Sequence, residues 1–172
     1  MNFFVFKPPY TEFPEIDLRE KNNEYEFYIS GGEYVDTPIY IETPKLQLRN
    51  GIVKMGTEEF ADLILDELLA SFLKELCETL IERVVALRRK LSYRQTVEYT
   101  KSIIVRHCGV KYLRANIRDV FIYGGKDEIP MKKTELKNQS VRAILGVHSF
   151  CQKDDFFYFN IELKQIYVYQ DF

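Results

Sequence analysis

Apolar residues recur along this chain with two periods, and the changes from one to the other divide it into elements. Residues 2–6 form a short apolar run that predicts a strand, ended by Pro8-Pro9 because proline cannot continue a ladder. A polar, proline-bearing stretch then reaches Asn23. Residues 24–30 alternate, with Tyr25, Phe27 and Ile29 on one face and Glu24, Glu26 and Tyr28 on the other; Gly31-Gly32 turns the chain. Ile39 and Ile41 share a face opposite Tyr40, and Pro44 confines this segment to an edge, a bulge or a strand start. Beyond it, Leu46 and Leu48 point one way while Lys45, Gln47 and Arg49 point the other. Asn50-Gly51 predicts a hairpin turn, since type I′ geometry needs positive φ at both central residues, with residues 52–55 as the return strand.

Residues 57–66 fit two descriptions. Thr57 could cap a helix with Glu58 and Glu59 in its first turn, or Gly56 could lead into another strand. From Leu69 the period is helical: Leu69, Phe72, Leu73, Leu76, Leu80, Val84, Leu87 and Leu91 recur at three- and four-residue steps, with Glu75, Glu78 and Glu82 opposite. We take a strand to about Asp66 and a helix to about Arg89. Residues 92–107 predict a second helix capped by Ser92, or an irregular return, ended by Gly109. Residues 111–119 alternate, Leu113, Ala115 and Ile117 against Tyr112, Arg114, Asn116 and Arg118; residues 120–123 continue that strand to Gly124-Gly125. An exposed loop over 126–138 carries Lys132 and Lys133. The chain closes with a hairpin: residues 140–151, which include Arg142, pair with 156–169 through 152–155, and Phe157, Phe159, Ile161 and Leu163 make an apolar face. The pattern is α+β and mainly antiparallel β, with one long helix and a shorter helical segment between strands, in a single domain over 1–172.

Composition narrows what such a domain can do. The 172 residues contain 46% hydrophobic and 29% charged side chains, enough to bury a substantial core. There are 13 Phe and 12 Tyr but no Trp, so many phenol hydroxyls need partners or stand at the surface as flat, half-polar contacts. A net charge of −2 argues against a histone-like or polybasic membrane-binding protein, yet permits a local basic groove. Cys77, Cys108 and Cys151 are odd in number and dispersed, which suits a reducing compartment, with Cys77 packed on the helix stripe. No apolar run approaches a membrane span, and the N-terminal run lacks the basic start of a signal peptide. The expectation is an intracellular, soluble protein without a membrane partner.

His107 and His148 are the two histidines, no Cys-x-x-Cys pair exists, and neighbouring His107 and Cys108 point apart in either regular structure. Nucleophile elbows and phosphate-binding glycine loops are absent, and no Ser-x-x-Lys stretch points to a known hydrolase pattern. No enzyme and no cofactor are expected. The remaining signal is polar strand faces: Tyr112, Arg114, Asn116 and Arg118 on one, Lys45, Gln47, Arg49 and Lys54 on another, with Tyr40 and Tyr123 near in sequence. Single-strand binders combine cations that follow phosphates with rings on which bases stack. A solvated face of an antiparallel sheet also selects Lys, Arg and Tyr, so the pattern alone favours plain surface.

Three stretches bring in a family. Residues 39–55, "IYIETPKLQLRNGIVKM", residues 112–119, "YLRANIRD", and the closing hairpin, residues 140–169, occur in this order. With them the chain resembles the single-stranded DNA-binding proteins of large nucleocytoplasmic DNA viruses, a family related to phage-type proteins with an OB fold. The resemblance implies an OB-like, partly closed barrel, and a strand over residues 58–66. It implies sequence-tolerant binding of single-stranded DNA in viral replication, recombination or repair, in the host cytoplasm (the viral factory) or nucleus. Replication proteins or a second copy of the chain are further implied partners. Lys45, Arg49, Lys54, Tyr112, Arg114, Arg118 and Tyr123 become candidate contacts, with Lys132, Lys133 and Arg142. The alternative expectation is a structural or scaffold component of such a virus particle, motivated by the 25 Phe plus Tyr; a degenerate enzyme domain is a third.

Overall fold

A computed structural model describes residues 4–11, 15–34, 36–88, 92–133 and 136–169. Asn2 and Phe3 of the expected first strand, and the expected helix end at Arg89 with Leu91, lie outside the described residues. Five strands close a barrel: β5 (Leu46–Met55), β6 (Glu58–Ile64), β8 (Val110–Ile117), β11 (Ser140–Lys153) and β12 (Phe156–Val168). Their order is β5-β6-β8-β12-β11 and back to β5. Two of the seams are short. β11 meets β5 only at Ser140 with Gln47 and Val141 with Leu46, and β12 runs parallel to β8 at Glu162 with Asn116. Alternation supplies the interior: Leu48, Leu63, Leu113, Ala115, Leu145 and Leu163 are almost fully buried. This is an OB-like α+β fold.

Two helices fill the connection from β6 to β8. α1 (Glu67–Leu87) begins where Asp66 accepts the Leu69 N–H at 2.8 Å, and α2 (Tyr93–Tyr99) where Ser92 accepts the Gln95 N–H at 3.1 Å. The α1 stripe of Leu69, Leu73, Leu76, Leu80 and Val84 belongs to one hydrophobic cluster with the barrel interior. The remaining strands extend the sheet: β1 (Val5–Phe6), β2 (Ile16–Lys21), β3 (Glu24–Ile29), β4 (Ile39–Glu42), β7 (Ile104–His107), β9 (Phe121–Gly124) and β10 (Ile129–Pro130). One edge of β11 is served in turn by β5, β4 and β3, while β12 covers the other. At the break between β4 and β5, where Pro44 has no donor, Thr43 holds the chain. Its N–H donates to Ala143 O and its Oγ1 accepts from Ala143 N–H, both at 2.9 Å.

Four expectations are corrected. Asn50-Gly51 is no hairpin turn; it lies inside the ten-residue β5, where the register passes from Leu48–Leu63 to Ile52–Ala61. Residues 49–51 therefore bulge opposite Asp62, with Gly51 at φ 68°, and the chain reverses instead at Gly56-Thr57. Residues 16–21, read as part of a polar stretch, form β2 and pair with β3 through Asn22-Asn23, both at positive φ. The second helix stops at Tyr99, and residues 104–107 form β7, which turns back onto β8 through Cys108-Gly109. Residues 120–123 do not continue β8: the chain bends after Ile117, and β9 pairs in parallel with β12.

Candidate nucleic-acid interface

Lys45 just ahead of β5, Gln47 and Arg49 at the start of the bulge face outward, as alternation predicts, and each of the two cations lies over a tyrosine ring. Arg49 Cζ is 5.1 Å from the centre of Tyr112, and its Nη2 lies 3.2 Å from His107 Nδ1. Tyr112 is 8% exposed, and Arg114 Cζ is also 6.0 Å from its ring centre. Arg114 in turn donates to both Asp62 oxygens, at 2.8 and 2.9 Å. Asp62 stands opposite Arg114 in the β6–β8 register. This charge-assisted fork raises the Arg114 pKa further, so the guanidinium is permanently charged.

Lys45 opens a second cluster. Its Nζ is 4.8 Å from the ring centre of Tyr169, which meets Tyr167 edge-on at 5.0 Å; Tyr167 meets Tyr123 at 5.4 Å, and Tyr123 meets Phe121 at 5.5 Å. Arg142 Cζ sits 5.5 Å from the Tyr167 ring, with Nε 3.7 Å from Glu42. Phe121 is 57% exposed. Four positions of β5 separate Lys45 from Arg49, roughly 13 Å at strand rise. The outer face of β5 thus joins an Arg49–Tyr112–Arg114 stack to a ladder of four rings flanked by Lys45 and Arg142.

The other expected contacts sit apart. Past the bulge Lys54 shares the inward-facing phase of Ile52 and pairs in register with Glu59, whose carboxylate holds Lys133 at 3.1 Å. Lys54 and Lys133 therefore mark the β5–β6 turn end of the barrel, on the other phase from Arg49. Lys132, exposed, precedes Lys133 in the chain. Arg118 is exposed just beyond β8, near Glu162. Burial pushes Glu162 up, but the Lys164 hydrogen bond at 2.6 Å and the charges of Lys164, His148 and Arg118 together hold its pKa below the ordinary value. Sequence reading missed Tyr167, Tyr169 and Phe121; the alternation of Tyr167 and Tyr169 with Ile166 and Val168 was the signal available.

Among the described residues no group of three or more His, Cys, Asp or Glu could hold a metal ion, and no helix is long and apolar enough to cross a membrane. The three cysteines are free thiols. Burial, with a smaller push from Glu78, raises Cys77 to about 12, which suits packing rather than reactivity.

No protein-family model matches the chain, and no curated protein matches it. Solved structures do share its fold. The single-stranded DNA-binding protein from bacteriophage Enc34 superposes with a TM-score of 0.51 at 12% identity, over 91% of this chain and 90% of that one. Its C-terminal truncation gives 0.51 at 11% identity, over 92% and 95%. At such identities the likeness is one of fold alone.

Proposed function

We propose that this chain is a non-catalytic, sequence-tolerant single-stranded DNA-binding protein. The observation that carries the proposal is the outer face of the barrel, where a cation–ring stack and a ring ladder are joined through β5. OB folds hold oligonucleotides on the face of their second and third strands, which correspond here to β6 and β8, the strands that carry Asp62, Tyr112 and Arg114. The fold neighbours are named as phage single-stranded DNA-binding proteins, which supports the same ligand class. A role in replication, recombination or repair of a large DNA virus genome rests on the sequence resemblance.

Fluorescence anisotropy with a labelled oligothymidine tests the reading. Micromolar or tighter binding in low salt is expected, weakened when Lys45→Ala and Arg49→Ala are combined. No binding by the wild-type chain at micromolar concentration in low salt overturns it.

A further inference from the structure

One edge of β8 is covered by β6, and the other is shared. β7 pairs with it from Val110 to Leu113, and β12 meets it at Asn116. Arg114 and Ala115 fall between, where the two partners part. A cleft of about 220 Å³ opens at this gap, lined by Phe60, Tyr158, Phe159, Arg114 and Lys101 among others. It is smaller than the roughly 300–1,000 Å³ of clefts that enclose a whole small-molecule ligand, and so suits one flat ring. Phe60 and Tyr158, both half-buried, come from the strands on either side of β8. Lys101 holds its Nζ 3.8 Å from the Phe156 ring centre. Asp62 engages Nε and Nη2 of Arg114 and Met55 Sδ takes one Nη1 hydrogen at 3.5 Å, which leaves one N–H on each terminal nitrogen to donate. The described lining contains two cations and no carboxylate. A larger groove of about 480 Å³, between α1 and the α2–β7 segment, includes Glu67 and Glu78, which disfavour a phosphate chain.

We propose that this cleft receives one base of the bound strand, its rings against Phe60 and Tyr158 and a base acceptor toward Arg114, with Lys101 beside the phosphate. The proposal rests on the single-strand reading above, and Arg114 makes the cleft continuous with that interface. The test compares a labelled oligothymidine with an abasic oligomer of equal length. Tyr158→Ala should weaken oligothymidine binding roughly tenfold or more, the loss of one stacked base, and leave the abasic oligomer unchanged. Tyr158→Phe should bind both like wild type. Equal losses on both ligands, or no loss on either, overturn the proposal. A measurement on the wild-type chain does not depend on any variant folding: photocrosslinking to a 5-iododeoxyuridine oligomer should place adducts on Tyr158, Phe60 or Phe159. Adducts confined to other residues overturn the cleft while leaving single-strand binding intact. Failure of the wild-type chain to bind oligothymidine removes both.

Discussion

Asp62 is 2% exposed, and its carboxylate is compensated by the two hydrogen bonds from Arg114. Removing that guanidinium leaves a buried anion unpaired, so Arg114→Ala should lower unfolding free energy by about 1–3 kcal/mol, read as a lower urea midpoint. Asp62→Ala combined with it should cost less than the sum of the two single changes, because the pair acts as a unit. An affinity loss in Arg114→Ala alone would therefore mix folding with binding, whereas Lys45 and Arg49 report binding more cleanly. Glu162 gives a second residue-level test. Its pKa is lower folded than unfolded, so it adds stability above the ordinary carboxylate value of 4.5, lost as pH falls below that value through the folded pKa. Glu162→Gln should flatten this acid limb of the stability profile measured by urea unfolding, and an unchanged limb would refute the assignment. The outward placement of Lys45, Arg49 and Arg114 was legible from alternation. Their partners were not: residues 60–65 hold five apolar side chains around Asp62, so nothing local showed Asp62 facing outward beneath Arg114.

Two Asn-led dipeptides show what local sequence cannot specify. Asn22-Asn23 makes a hairpin between β2 and β3, while Asn50-Gly51, the stronger signal, makes a bulge within β5. Positive φ at Gly51 serves both outcomes; the difference is that β6 runs on past the bulge to pair with residues 52–55. That bulge also sets function, since it moves Lys54 off the Arg49 face. A Cβ at Gly51 would lie 3.3 Å from the Lys137 backbone, in addition to the positive φ. Gly51→Ala should therefore destabilise the protein by at least about 1–2 kcal/mol in urea unfolding. A neutral result would mean that the bulge relaxes. Elements whose pattern was long and self-consistent, α1 from Leu69 onward and the closing hairpin, were readable. β7 was not, because four residues after a helix acquire strand geometry only from β8.

At the scale of the molecule, barrel closure depends on contacts far apart in sequence. The parallel seams of β12 with β8 and β9 join residues more than 40 positions apart, beyond any periodicity argument. The β11–β5 seam brings Tyr169 to Lys45 and the β5–β6–β8 run brings Tyr112 to Arg49, which together concentrate positive charge on one face of a chain whose net charge is −2. At 0.1 M salt the screening length is about 10 Å, so the distant carboxylates are largely hidden from a strand held on that face. Affinity should then follow the local cations and not the overall charge. On a single strand each neutralised phosphate contributes about 0.7 to the slope of log affinity against log salt. Combining Lys45→Gln with Arg49→Gln removes two such contacts and should flatten the slope by roughly 1.4. Lys133→Gln, on the other phase of the barrel and already paired with Glu59, should leave the slope unchanged. Anisotropy titrations of the three proteins from about 50 to 200 mM salt, a range over which phosphate contacts change affinity strongly, measure both. Equal slopes for wild type and the Lys45/Arg49 variant would show that the strand does not follow β5.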